Sequence, residues 1–174
     1  MTRSLTMLLA AMTLPAGAQG IPFSQHGIVS QRVGLTTITI EANRPVARGR
    51  TLFGDLIPWG SIWHPGADSA TTFTTDRSIA VEGQTLPAGR YSVWTIPTES
   101  RWTVIFSRQA NVYHTPYPGE AHDILRVTVA PTPGSHMETM AFYFPVVQRD
   151  RAVLMLHWGT VAVPIALAVD NGDN

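Results

Sequence analysis

"SIAVEGQTLPAGRYSVWTIPTESRWTVIFS", Ser78 to Ser107, is the stretch whose reading decides the fold. It opens as a short strand, turns tightly at Glu82-Gly83, and turns again at Pro87-Ala88-Gly89. Glycine supplies the positive φ that such turns demand, and proline fixes the φ of a turn's first corner. A longer strand follows, in which Tyr91, Val93 and Thr95 face one way and Ser92, Trp94 and Ile96 the other. "RWTVIFS" begins only a few residues later, too close for any helical crossover, so the two strands form a hairpin.

Outward from this core the same signals recur. Upstream, "TTITIEA" (36–42) sets Ile38 and Ile40 against Thr37, Thr39 and Glu41, and "ATTFTTD" (70–76) is rich in β-branched residues. Downstream, "DILRVTVAP" (123–131), "METMAFYFPV" (137–146), "AVLMLHW" (152–158) and "VAVPIALAV" (161–169) read as four more strands. The expectation is an all-β single domain of about nine strands, an antiparallel β-sandwich or barrel-like fold. No long amphipathic helix is present; "RTLFGDLI" (50–57) could form one or two helical turns at most.

Two segments lack any sustained period, Asn43 to Ser69 and Gln109 to Ala121. Long irregular loops in a compact domain are usually functional or disordered. The first carries Leu52, Phe53, Leu56, Ile57, Trp59, Ile62 and Trp63, so it is expected to fold back as one long Trp-containing loop and bury those side chains.

Arg3, the apolar run "SLTMLLAAMTL" and the small residues Ala16-Gly17-Ala18 form the three-part pattern of a secretory signal peptide. The expected organisation is therefore a signal peptide over 1–18 cleaved near Ala18, a β-sandwich domain over 19–170 and a disordered tail over 171–174. The location implied is periplasmic or secreted. No later segment is long enough to cross a bilayer as a helix. Without cysteine, the chain can hold neither disulfides nor thiolate chemistry. A mature chain of this size can bury roughly 70% of its unfolded surface in one core. Twelve arginines, no lysine and twelve acids give zero formal charge, which argues against nucleic acid as a partner.

Familiar catalytic motifs are missing, including the zinc helix, the nucleophile elbow and the phosphate loop. His64 and Asp68, spaced by the turn-forming Pro65 and Gly66, are the sharpest candidate pair. An imidazole oriented by a carboxylate is half of a catalytic triad, or two ligands of a metal site. The plain alternative is a turn capped by Asp68 with a surface histidine beside it. His114, His122 and Asp123 flank a second, proline-rich loop, and convergence of His64, Asp68, His114 and His122 would suit a divalent metal. No other cofactor is expected. His26 and His136 carry no signal, and His157 alternates with Val153 and Met155 as a structural residue would.

Arg44, Arg48 and Arg50 could clamp an anion, or pair internally with Glu41, Asp55 or Asp68. Trp59, Trp63, Trp94, Trp102, Tyr113 and Tyr117 could supply a ring-stacking surface, although packing is the default for strand tryptophans. Trp94 and Trp102 would lie near each other if their hairpin pairs tightly.

"RPVARGRTLFGDLIPWGSIWHPGADSATTFT" (44–74), continued by "VEGQTLPAGRYSVWTIPTESRWTVIFS" (81–107) and "DILRVTVAP", resembles the domain of unknown function 2911 family. The likeness extends over roughly residues 25 to 165. It implies an all-β exported domain and brings no active site with it. The family pattern has Arg where this chain has His64, and Asn where it has Asp68.

Three functions follow as expectations. The first is a non-enzymatic binding module for a small ligand, glycan or envelope partner. Its site lies at the sandwich end formed by the 44–69 and 109–122 loops, with Trp59, Trp63, Arg48, Arg50 and Tyr113 as binding residues. The second is a metal-assisted or general-base hydrolase built on His64 and Asp68. The third is an envelope structural protein whose exposed strand edge pairs with a partner.

Overall fold

The computed structural model describes residues 21–172, so the expected signal segment and the last two residues of the tail lie outside it. Among the described residues, ten strands form two antiparallel sheets packed as a sandwich. The strands are β1 (Gln25–Val33), β2 (Thr36–Arg44), β3 (Thr72–Thr75), β4 (Ile79–Val81) and β5 (Gln84–Leu86). Then come β6 (Gly89–Pro97), β7 (Trp102–Ser107), β8 (Asp123–Val129), β9 (Thr132–Val147) and β10 (Arg151–Val169). Among the described residues the only helical piece is a 3-10 turn, Glu120–His122.

The larger sheet runs β1-β2-β3-β6-β7-β8 and the smaller β5-β4-β10-β9. The opening stretch therefore feeds both layers. Glu82 and Gly83, at φ 48 and 76, close the two-residue β4/β5 hairpin. The Pro87-Ala88-Gly89 turn then carries the chain across to the larger sheet. Tyr91 clamps that turn by donating its hydroxyl to the Pro87 carbonyl at 2.9 Å. β6 and β7 pair as a hairpin, Pro97 opposite Trp102 and Trp94 opposite Ile105.

Period 2 sorts the side chains into a core between the sheets. Ile38, Ile40, Phe73, Val93, Val104, Phe106 and Val127 from the larger sheet meet Val81, Leu86, Leu154, Trp158, Ile165 and Leu167 from the smaller. Two elements differ from the sequence reading. β1 was not expected, because Ile28 lies 63% exposed and spoils its alternation. The segments 152–158 and 161–169 are one strand, β10. Its large core side chains are even-numbered up to Trp158 (Leu154, Leu156, Trp158) and odd-numbered from Val163 onward (Val163, Ile165, Leu167). Gly159, at φ 58, sits between two register shifts against β9, and this bulge inserts the residue that flips the phase.

Residues 45–71, between β2 and β3, contain no strand or helix and are held by isolated bridges of Val46 to Thr139 and Trp63 to Thr95. The turns expected of 50–57 are not helical; Ile57 closes back on the Leu52 carbonyl at 2.8 Å. Asn171 is tied down, accepting from the Leu35 amide at 3.1 Å and donating to the Arg149 carbonyl at 3.0 Å.

Candidate functional site

A loop extruded from the strand partner of β6 builds the site. Val93 donates its amide to Thr71 at 2.8 Å, and Thr95 donates to Trp63 at 2.7 Å. The single residue Trp94 between these two bonds is thus matched by seven residues, 64 to 70, of the opposing chain. The surplus, 64 to 70, is pushed onto the outer face of the larger sheet. Pro65 and Gly66 allow the bend, and Asp68 takes a left-handed conformation at φ 58. A Cβ on Gly66 would stand 2.6 Å from Thr71 Oγ1 and 3.0 Å from His64 Nε2, so glycine is required by space. The second loop lies across the first. Ala70 donates to Val112 at 2.9 Å, Ser69 bridges Tyr113, and the His114 amide donates to Asp68 at 2.9 Å.

Under this double loop is a second small apolar cluster of Ala70, Trp94 and Ile105, flanked by Ile96, Val112 and Tyr117. Trp94 therefore faces outward, whereas Trp102 sits in the main core. The expectation that the two rings meet is corrected by the register. Trp102 opposes Pro97, three residues from Trp94, and an odd separation puts the rings on opposite faces.

His64 is 4% exposed, its ring tilted against Trp94 with centroids 5.8 Å apart and stacked with His114 at 5.7 Å. It is no surface histidine. Burial, reinforced by the neighbouring His114, pushes its pKa down to about 4, against weaker backbone hydrogen bonds to Ser69 and Ala67 that favour the charged form. Its Nε2 is buried without a hydrogen-bond partner. His114 Nδ1 donates to the Asp68 carbonyl at 3.1 Å. Asp68 thus holds His114 through its main chain, and its carboxylate bonds neither imidazole.

The remaining candidates are distributed as packing dictates. His122 accepts from the Gln109 amide at 3.5 Å and stays apart from the His64–His114 pair. Among the described residues, no three of His, Asp and Glu form a group able to hold a metal ion. Trp63 is a half-buried plug, its ring within 6.2 Å of Phe53, Trp102 and Trp158. Trp59, 39% exposed, stacks on Phe53 at 6.0 Å.

None of the three arginines pairs with Glu41, Asp55 or Asp68 as the internal-pairing alternative required. Arg44 Nε donates to Met140 at 2.8 Å, and Arg50 donates to Ala47 and Val46 at 2.9 and 2.6 Å. Arg48 lies over the Phe23 ring at 4.8 Å. Asp123 accepts from Tyr117 at 2.6 Å and from Arg126 Nε at 2.6 Å, a half-buried tether for the second loop. His157 is buried and satisfied, accepting from the Tyr143 hydroxyl at 3.1 Å and donating to Ser135 at 3.0 Å.

Two concavities flank the loop pair. The larger, about 590 Å³, lies between it and the outer face of β1–β3. Its polar lining includes His26, Glu41, Asn43, Ser69, Arg90 and Tyr113. Arg90 Nη2 stands 3.5 Å from Glu41 Oε2, and His26 Nδ1 donates to Asn43 Oδ1 at 3.2 Å. Tyr113, 56% exposed, rises at the rim beside His114. The smaller recess, about 330 Å³, lies on the other side of the Ser69–Tyr113 bridge and includes Trp63, His64, Asp68 and His114. The site thus sits on a sheet face and not at the sandwich end.

Of the polar residues lining the larger cleft, Tyr113 is among the candidates named from the sequence, whereas His26, Glu41, Asn43 and Arg90 are not. Glu41 and Arg90 come together because β3 is the only strand between β2 and β6, with Thr72 opposite Glu41 and Thr74 opposite Arg90. The polar phase of β2 was visible, but that neighbour relation was not.

Comparison with curated proteins and with solved structures finds no match. Residues 24–167 match the family described as "Protein of unknown function (DUF2911)" over most of the chain, so the protein belongs to that family.

Proposed function

We propose that this protein is an exported binding module for a hydroxyl-rich small ligand of the glycan class, held in the larger cleft. The observation that carries the reading is the Arg90–Glu41 pair, 3.5 Å apart and only partly buried, set in the 590 Å³ concavity beside the exposed Tyr113 ring. A guanidinium donates and a carboxylate accepts, so together they serve adjacent hydroxyls, each of which does both. An aromatic ring at the rim offers a face to the C–H side of a sugar. The N-terminal pattern of Arg3, the apolar run and Ala16-Gly17-Ala18 supports export.

The hydrolase reading has the neutral His64 as its one support, and takes second place because its Nε2 is sealed against solvent. Isothermal titration against a sugar panel tests the binding reading. A hit bound by the native protein is expected to weaken at least about tenfold in both Arg90→Ala and Tyr113→Ala, each still folded by circular dichroism. Unchanged affinity in both variants refutes the cleft as the site.

A further inference from the structure

We propose that the recess beyond the Ser69–Tyr113 bridge is a second sugar subsite, so that the ligand is a linked chain of sugars lying across the Tyr113 ridge. This deepens the binding reading and rests on it. The two concavities share one wall. Ser69 and Tyr113 line the cleft, while their chain neighbours Asp68 and His114 line the recess. Val112 and Tyr113 line the cleft, and the next two residues, His114 and Thr115, line the recess.

The recess offers the chemistry a second ring needs. The Asp68 residue is exposed, and its carboxylate makes no hydrogen bond among the described residues, while its carbonyl ties the loop to His114. His114 spends Nδ1 on the Asp68 carbonyl, which leaves its other ring nitrogen for a ligand. Trp63, half-buried, and Ile62, 39% exposed, add an apolar floor beside them. Hydrogen-bonding groups on one side and apolar surface on the other match the two faces of a pyranose.

The cleft has the same composition in a different order, with Tyr113 between the two. A ring in each and the glycosidic link over the ridge would use both sets of groups at once. Linked occupancy converts the second contact into an intramolecular one.

A length series tests this. β-1,4-linked glucose and N-acetylglucosamine oligomers, from one to six units, are titrated calorimetrically into the native protein and into Asp68→Gly. Glycine removes the carboxylate and suits the backbone at φ 58. A second variant, Asp68→Asn, keeps the shape and hydrogen bonding without the charge. Affinity is expected to rise at least about tenfold from one unit to three in the native protein. Asp68→Gly should lose that gain while binding the single sugar as before, and Asp68→Asn should retain most of it. Equal affinity at all lengths overturns the second subsite and leaves the cleft reading standing, as does a gain that survives in Asp68→Gly. No binding of any oligomer overturns both.

Discussion

His64 gives the protein a built-in acid sensitivity whose size follows from the structure. Burial against Trp94 and stacking with His114 lower its pKa from the ordinary 6.5 to about 4. The unfolded chain takes up the proton first as pH falls, so the folded state is favoured fully above pH 6.5. That advantage drains away between 6.5 and about 4, and is gone below. At ~1.4 kcal/mol per tenfold change in proton affinity, the loss is about 3 kcal/mol. The ring is almost wholly removed from solvent, so water does little to screen it. The groups around it are few. His114 is the titratable ring in contact, with Asp68 and Tyr113 flanking and Trp94, Gly66 and Thr71 closing the rest.

His64→Leu keeps an apolar body against Trp94 and removes the proton site. Urea unfolding of both proteins from pH 4 to pH 8 reads the residue together with its coupling to the contacting His114. Relative to the variant, the native protein should lose about 3 kcal/mol between pH 7 and pH 4. A difference that stays flat across that range refutes the reasoning, as does an NMR titration placing the His64 ring near 6.5.

Two further outcomes follow from packing. Trp63→Ala removes the ring that Phe53, Trp102 and Trp158 enclose, and should cost about 3 kcal/mol, lowering Tm on the order of 10 °C; a loss under about 1 kcal/mol would mean the ring is no plug. Gly66→Ala places a methyl 2.6 Å from Thr71 Oγ1, so chemical denaturation should register a cost of about 1–3 kcal/mol, whereas an unchanged midpoint would show that the loop is free to shift.

How much of this was legible in the sequence depends on whether a feature is local. β2 announced itself because alternation needs only its own residues, β6 because β-branched and aromatic residues run on from a Pro-Ala-Gly turn, and the β4/β5 turn because Glu82-Gly83 carries its own backbone demand. β10 was cut in two for an equally physical reason: the bulge at Gly159 reverses which residues are buried, and a pattern reader sees a reversal as an end. The site resisted more strongly. Residues 64–70 read as a turn with a histidine, and nothing in them reveals that Trp63 and Thr71 pair with β6 two residues apart. That pairing is what forces the loop onto Trp94 and buries His64. The positive φ of Asp68 has the same origin, since the extruded chain must reverse within a few residues to regain Thr71. Asn or Asp is at home there, because a short polar side chain tolerates the left-handed region. Asp68 and His64 were read as a possible catalytic pair, but the loop uses them differently. One turns the chain and leaves its carboxylate to solvent, while the other plugs the space beneath.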